Sequence, residues 1–148
     1  MSSHPDIVIH SSDGKLQFVV EIKSISNTDS TWATHYRRNL LLHQVIPISP
    51  YFLLVAADRM YLWTDSASMP TAAPSVEGDT KAVLARYLPT QHGSFSPSGL
   101  EMASQLWLGE LTAFPNSSHR NADEKRLIED TGLLNKIQTG SLTLEAHQ

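Results

Sequence analysis

The sequence predicts an α/β (α+β) domain, a mixed sheet flanked by helices with a helical C-terminal part. Three observations predict it. Residues 7–10 and 16–22 are β-branched and aromatic runs around an Asp-Gly pair, which reads as a hairpin. A helical pattern over 31–44 separates the second run from the apolar run 51–57, and strand–helix–strand is a crossover unit. Three more helical patterns fill residues 80–136. With 148 residues, 41% of them hydrophobic and 18% charged, the chain can build one core, so 1–148 reads as a single domain.

In the hairpin, a two-residue loop at Asp13-Gly14 sets Ser12 opposite Lys15. Ile9 then faces Phe18, Val8 faces Val19, and Asp6 faces Glu21. Alternation sends Ile7, Ile9, Leu16, Phe18, Val20 and Ile22 to one face, which must be core. The other face is mixed: it carries Val8, His10, Lys15, Gln17 and Val19, and its far end gathers Asp6, Glu21 and Lys23. Ser30 suits an N-cap for the first helix. On that helix Trp32, Tyr36, Leu40 and His43 form a core-packing stripe, with Thr31, Thr34, His35 and Arg38 as a polar stripe beside it. Pro47 and Pro50 end the element. The run Tyr51 to Ala57 suits a strand buried on both faces, and Asp58-Arg59 turns it into Met60-Tyr61-Leu62-Trp63. Residues 64–79, rich in Pro, Ser, Ala and Thr, read as a loop. The last three helices are expected over 80–87, 98–113 and 122–136, the final two carrying apolar faces.

Several function classes are excluded. Without cysteine there are no disulfides, thiolate metal sites or cysteine nucleophiles. Neither a phosphate-cradling glycine loop nor a nucleophile elbow is present. No apolar run approaches the ~20 residues of a membrane helix, and no basic-then-apolar leader opens the chain. Together these lead to an expectation of a cytoplasmic protein without membrane contact. A pI near 5.9 argues against broad electrostatic binding to nucleic acid and leaves room for a small local basic surface.

The chemistry lies where two acids meet. Like charges directly opposite each other destabilise a hairpin, and a divalent cation between them reverses the penalty. Hard oxygen ligands with an open shell suit Mg²⁺, with Mn²⁺ as a substitute. Such an ion polarises phosphate and activates water. Lys23, two residues from Glu21, projects from the same face and can hold water or steady negative charge. The plainer reading is a solvated sheet edge with Glu21 and Lys23 paired. A zinc site of His4, Asp6 and His10 is a third reading.

Pro5-Asp6 and Glu21-Ile22-Lys23 resemble the signature of the PD-(D/E)XK nuclease superfamily, which has the restriction endonuclease-like fold. Residues 32–40, 51–55 and 58–63 are similar to uncharacterised bacterial and cyanobacterial members. The resemblance covers residues 5–63, and residues 80–138 look like a helical addition. It implies a Mg²⁺-dependent nuclease acting on DNA. By that resemblance Asp6, Glu21 and the Ile22 carbonyl ligate metal and Lys23 is the catalytic lysine. The following helix sends a polar residue to the substrate, here His35 or Arg38 in place of the usual Gln or Lys. The family's helix before the Pro-Asp strand has no counterpart in the four residues before Pro5. The helix over 31–44 is expected to cover part of the apolar hairpin face, and either the C-terminal helices or a second copy, as a homodimer, the remainder. The alternative is a non-catalytic subunit of the same fold, with Leu106, Trp107 and Leu111 as its contact surface.

Overall fold

The computed structural model describes residues 6–87, 95–116 and 120–144. Among these residues six strands form one mixed sheet between two helical layers. The strands are β1 (Ile7–His10), β2 (Leu16–Lys23), β3 (Tyr51–Ala56), β4 (Arg59–Trp63), β5 (Val76–Asp79) and β6 (Ser141–Leu144). Their order across the sheet is β5-β4-β3-β2-β1-β6. β2 and β3 run parallel and every other neighbouring pair is antiparallel. The parallel pair is the crossover through α1 (Ser30–Leu42).

The hairpin keeps the expected register by a different route. Ile7 faces Val20, Val8 faces Val19 and Ile9 faces Phe18. The turn itself has three residues: Gly14 N–H donates to Ser11 O (2.9 Å), and Ser11 N–H donates to Lys15 O (2.8 Å). Gly14 sits at φ +85, the left-handed conformation that closes such loops. The one-residue offset is removed by a bulge between Ile9 and His10 that leaves Gln17 unopposed, so the register beyond it is unchanged. One consequence is a correction: Leu16 lies opposite His10 and packs with Val8 and Val19, not with Phe18.

Both faces of the hairpin are buried. Val8 and Val19 join Ala33 and Leu40 of α1, together with Phe52, Leu54, Tyr61 and Trp63. α1 therefore lies on the Val19 face, whereas the sequence suggested that it helps to cover the Ile9 face. Ile7, Ile9, Phe18, Val20 and Ile22 are covered from the other side by α2 (Thr80–Leu84), α3 (Pro97–Ala113), α4 (Ala122–Ile128) and α5 (Leu133–Ile137). Each large side chain sealed there contributes about 1.5–3 kcal/mol. The C-terminal helices close this core within one chain, so burial of the Ile9 face does not call for a second copy. Trp107 and Leu111 are part of that core, and of the contact surface suggested by sequence only Leu106 is exposed.

Other elements also depart from expectation. α1 is capped by Asp29, whose carboxylate accepts from Trp32 N–H (2.8 Å), and not by Ser30. Residues 64–79 hold a 3₁₀ turn (Asp65–Ala67) and the edge strand β5. The helix expected over 122–136 is two helices, broken where Gly132 takes φ +78. After α5 the chain returns as β6 beside β1. The Arg37-Arg38 pair divides: Arg38 is exposed, while Arg37 is buried. Arg37 donates to Ala67 O and Met69 O and lies 5.0 Å from the Trp63 ring, fastening the 65–69 segment over the sheet. Among the described residues, no helix is long and apolar enough to cross a membrane.

Candidate metal centre at the sheet end

Asp6 stands one position before the Ile7–Val20 pair, across from Glu21. Its N–H donates to Glu21 Oε1 (3.1 Å), and its Oδ2 accepts from Ile22 N–H (2.7 Å). The two carboxylates are thus stitched to each other's strand by main-chain donors. Glu21 is only 6% exposed, unusual for a carboxylate, whose burial is costly without compensating partners. Pairing of Glu21 with Leu54, and of Leu54 with Tyr61, sets Glu21 in a row across the face that α1 covers.

Lys23 follows on the same face, at the strand end and exposed. Its ammonium lies 5.8 Å from the Tyr36 ring centroid. The neighbouring Tyr36 hydroxyl raises the Lys23 pKa above its ordinary 10.5; partial burial opposes it, and the charges of Glu21 and Asp6 add smaller upward effects. Tyr36 is itself shifted upward, first by burial and then by the two carboxylates, with Lys23 acting in the opposite sense. These mutual fields place all four side chains in one cluster.

Elements around the cluster hold it in place. Asp58, in the turn between β3 and β4, accepts from Thr28 N–H (2.9 Å) and Thr28 Oγ1 (2.8 Å), and the Thr28 hydroxyl meets Tyr61 OH (2.7 Å). Ala57 N–H donates to Ile25 O (2.9 Å). The loop leaving Lys23 is thereby tied to the neighbouring hairpin, and the Asp29 cap starts α1 one residue later. That start sets the rotation that brings Tyr36 over the sheet end.

His35 and Arg38 are exposed on α1, and none of their described contacts reaches Asp6 or Glu21. The helix instead contributes Tyr36, which sequence reasoning assigned to core packing. The miss follows from the placement of α1: it packs over Val19, Glu21 and Lys23 share the Val19 face, and Tyr36 reaches that face. His4 of the zinc reading lies outside the described residues. Among the described residues no group of three or more His, Asp or Glu is placed to hold a metal. A divalent cation at the sheet end would be held by two carboxylates and a main-chain carbonyl. All are hard oxygens. This donor set fits Mg²⁺ or Mn²⁺ completed by water. No family model, curated protein or solved structure matches the chain.

Proposed function

We propose that the protein is a Mg²⁺-dependent phosphodiesterase acting on DNA, a nuclease of the PD-(D/E)XK type with the restriction endonuclease-like fold. The observation that carries this reading is the cross-strand pair of Asp6 and Glu21, with Lys23 on the same face and held cationic. Two acids set side by side repel each other, and a cation between them relieves that repulsion. Asp6, Glu21 and the Ile22 carbonyl are the ligands. The bound ion supplies Lewis-acid polarisation of the phosphate and a more acidic water.

The protein's own groups do the rest. The raised pKa of Lys23 makes it a poor base, so its role is to hold the attacking water by hydrogen bonding and to stabilise charge growing on the phosphate oxygens. Tyr36, whose ring centroid lies 5.8 Å from that ammonium, limits where it points. The assay is cleavage of end-labelled single- and double-stranded DNA in Mg²⁺ or Mn²⁺. Wild type is expected to cut, and Asp6→Asn, Glu21→Gln and Lys23→Met are expected to be silent while remaining folded. A folded wild type that cuts no substrate would assign the fold to a non-catalytic, interaction role.

A further inference from the structure

Beside the carboxylates and Lys23 lies a wall of aromatic rings. Trp32 and Tyr36 are 5.3 Å apart between centroids and tilted by 33°, and Trp32 lies 6.3 Å from Tyr61. Their exposures differ. Tyr61 is fully covered, whereas Trp32 and Tyr36 keep part of their surface in solvent. The other tryptophans, Trp63 and Trp107, are 1% and 0% exposed. Trp32 is thus the tryptophan that a bound molecule can touch, and it sits next to the ring that meets the Lys23 ammonium.

Resting on the phosphodiesterase reading, we propose that Trp32 and Tyr36 stack an unpaired base of the strand whose phosphate lies at Asp6, Glu21 and Lys23. The substrate is then single-stranded or locally unpaired DNA. Every base has a π-face on which an aromatic ring can stack, and a duplex keeps those faces hidden. A base lies one sugar away from its phosphate, as these rings lie one side chain away from the ammonium. Arg38, exposed on the same helix, provides local positive charge for adjoining phosphates.

The test compares three probes on wild-type protein in Ca²⁺: a short oligothymidylate, an abasic sugar-phosphate oligomer of equal length, and a blunt duplex. Binding is read by anisotropy and by tryptophan fluorescence. Oligothymidylate is expected to quench the fluorescence and to bind about 5- to 150-fold tighter than the abasic oligomer, the range for one or more stacked bases. The duplex is expected to bind more weakly than oligothymidylate. Trp32→Leu should erase the preference over the abasic probe while its thermal melt stays cooperative. Equal binding of abasic and thymidylate oligomers without quenching, both weakened by Lys23→Met, would overturn the stacking wall and leave the phosphate site standing. Duplex binding as tight as oligothymidylate would also overturn it. Failure of all three probes to bind, together with no Mg²⁺-dependent cleavage, would remove the phosphodiesterase reading and this inference with it.

Discussion

Replacing Asp6 sets two opposed effects against each other. Asp6 and Glu21 repel across the strand pair, which costs a few tenths to about 1 kcal/mol in the metal-free protein. Asp6 Oδ2 also accepts the Ile22 N–H at 2.7 Å, and a hydrogen bond to a charged acceptor contributes about 1.5–3 kcal/mol. The second effect is the larger. Asp6→Ala should therefore destabilise the metal-free domain by about 0.5–3 kcal/mol, the difference between those ranges, even though it removes a like-charge contact. For a chain of this size the melting temperature falls by about 2–4 °C per kcal/mol. Asp6→Asn separates the two effects, because the amide oxygen still accepts the Ile22 N–H and the repulsion is gone. It should match or exceed wild type in stability without metal. Urea denaturation of the three proteins, with and without Mg²⁺, reads both consequences. Mg²⁺ at a hundred times its Kd should stabilise wild type by about 2.7 kcal/mol and should leave Asp6→Asn unmoved. The reasoning fails if Asp6→Asn is as unstable as Asp6→Ala, or if Mg²⁺ stabilises Asp6→Asn as much as wild type.

Three further outcomes are expected. Tyr36, Glu21 and Asp6 raise the Lys23 pKa, so its charge stabilises the fold below about 10.5 and is lost only as pH rises through the higher folded value. In the metal-free protein an NMR titration of the Lys23 side chain should accordingly give a pKa above the ordinary 10.5, and a value below it would remove Lys23 from this cluster. Glu124 is fully buried, binds Arg86 through both oxygens at 3.0 and 3.2 Å and accepts from Trp107 Nε1 at 2.9 Å. Glu124→Leu strands those donors and should cost about 3–5 kcal/mol by chemical denaturation. A side chain at Gly140 would place its Cβ 2.3 Å from His10 O, so Gly140→Ala should detach β6 from β1, seen as faster amide exchange at Ile7–His10 with β2–β4 unchanged.

The parts of the fold legible in the sequence are those decided by local chemistry. Asp13-Gly14, the period-two runs around it and the apolar run at 51–56 specify β1, β2 and β3, because a strand buried on both faces can be read from composition alone. The Asp6–Glu21 juxtaposition was legible for the same reason, and it survived a misjudged turn because the bulge at Gln17 restored the register. β5 and β6 were not legible. They are four-residue edge strands, Val-Glu-Gly-Asp and Ser-Leu-Thr-Leu, whose pairing is set by α4 and by the turn after α5. The face covered by α1 was not legible either. The Val19 face carries Glu21 and Lys23 at its end, so its pattern looks half polar, and only the crossover geometry shows that a helix lies over it. Once α1 is placed there, Tyr36 follows as the polar tip above Lys23.

The binding of one divalent ion by Asp6 and Glu21 is measured most directly with Mn²⁺, whose free aqua ion has an electron paramagnetic resonance signal that is lost on binding. Titration of the wild-type protein should remove one equivalent of that signal, and excess Mg²⁺ should restore it. Glu21→Gln and Asp6→Asn, each folded, should bind none at the same concentrations, while Lys23→Met should bind as wild type does. A wild-type titration that leaves the Mn²⁺ signal untouched, or a Glu21→Gln protein that binds Mn²⁺ as the wild type does, would contradict a metal centre at this sheet end.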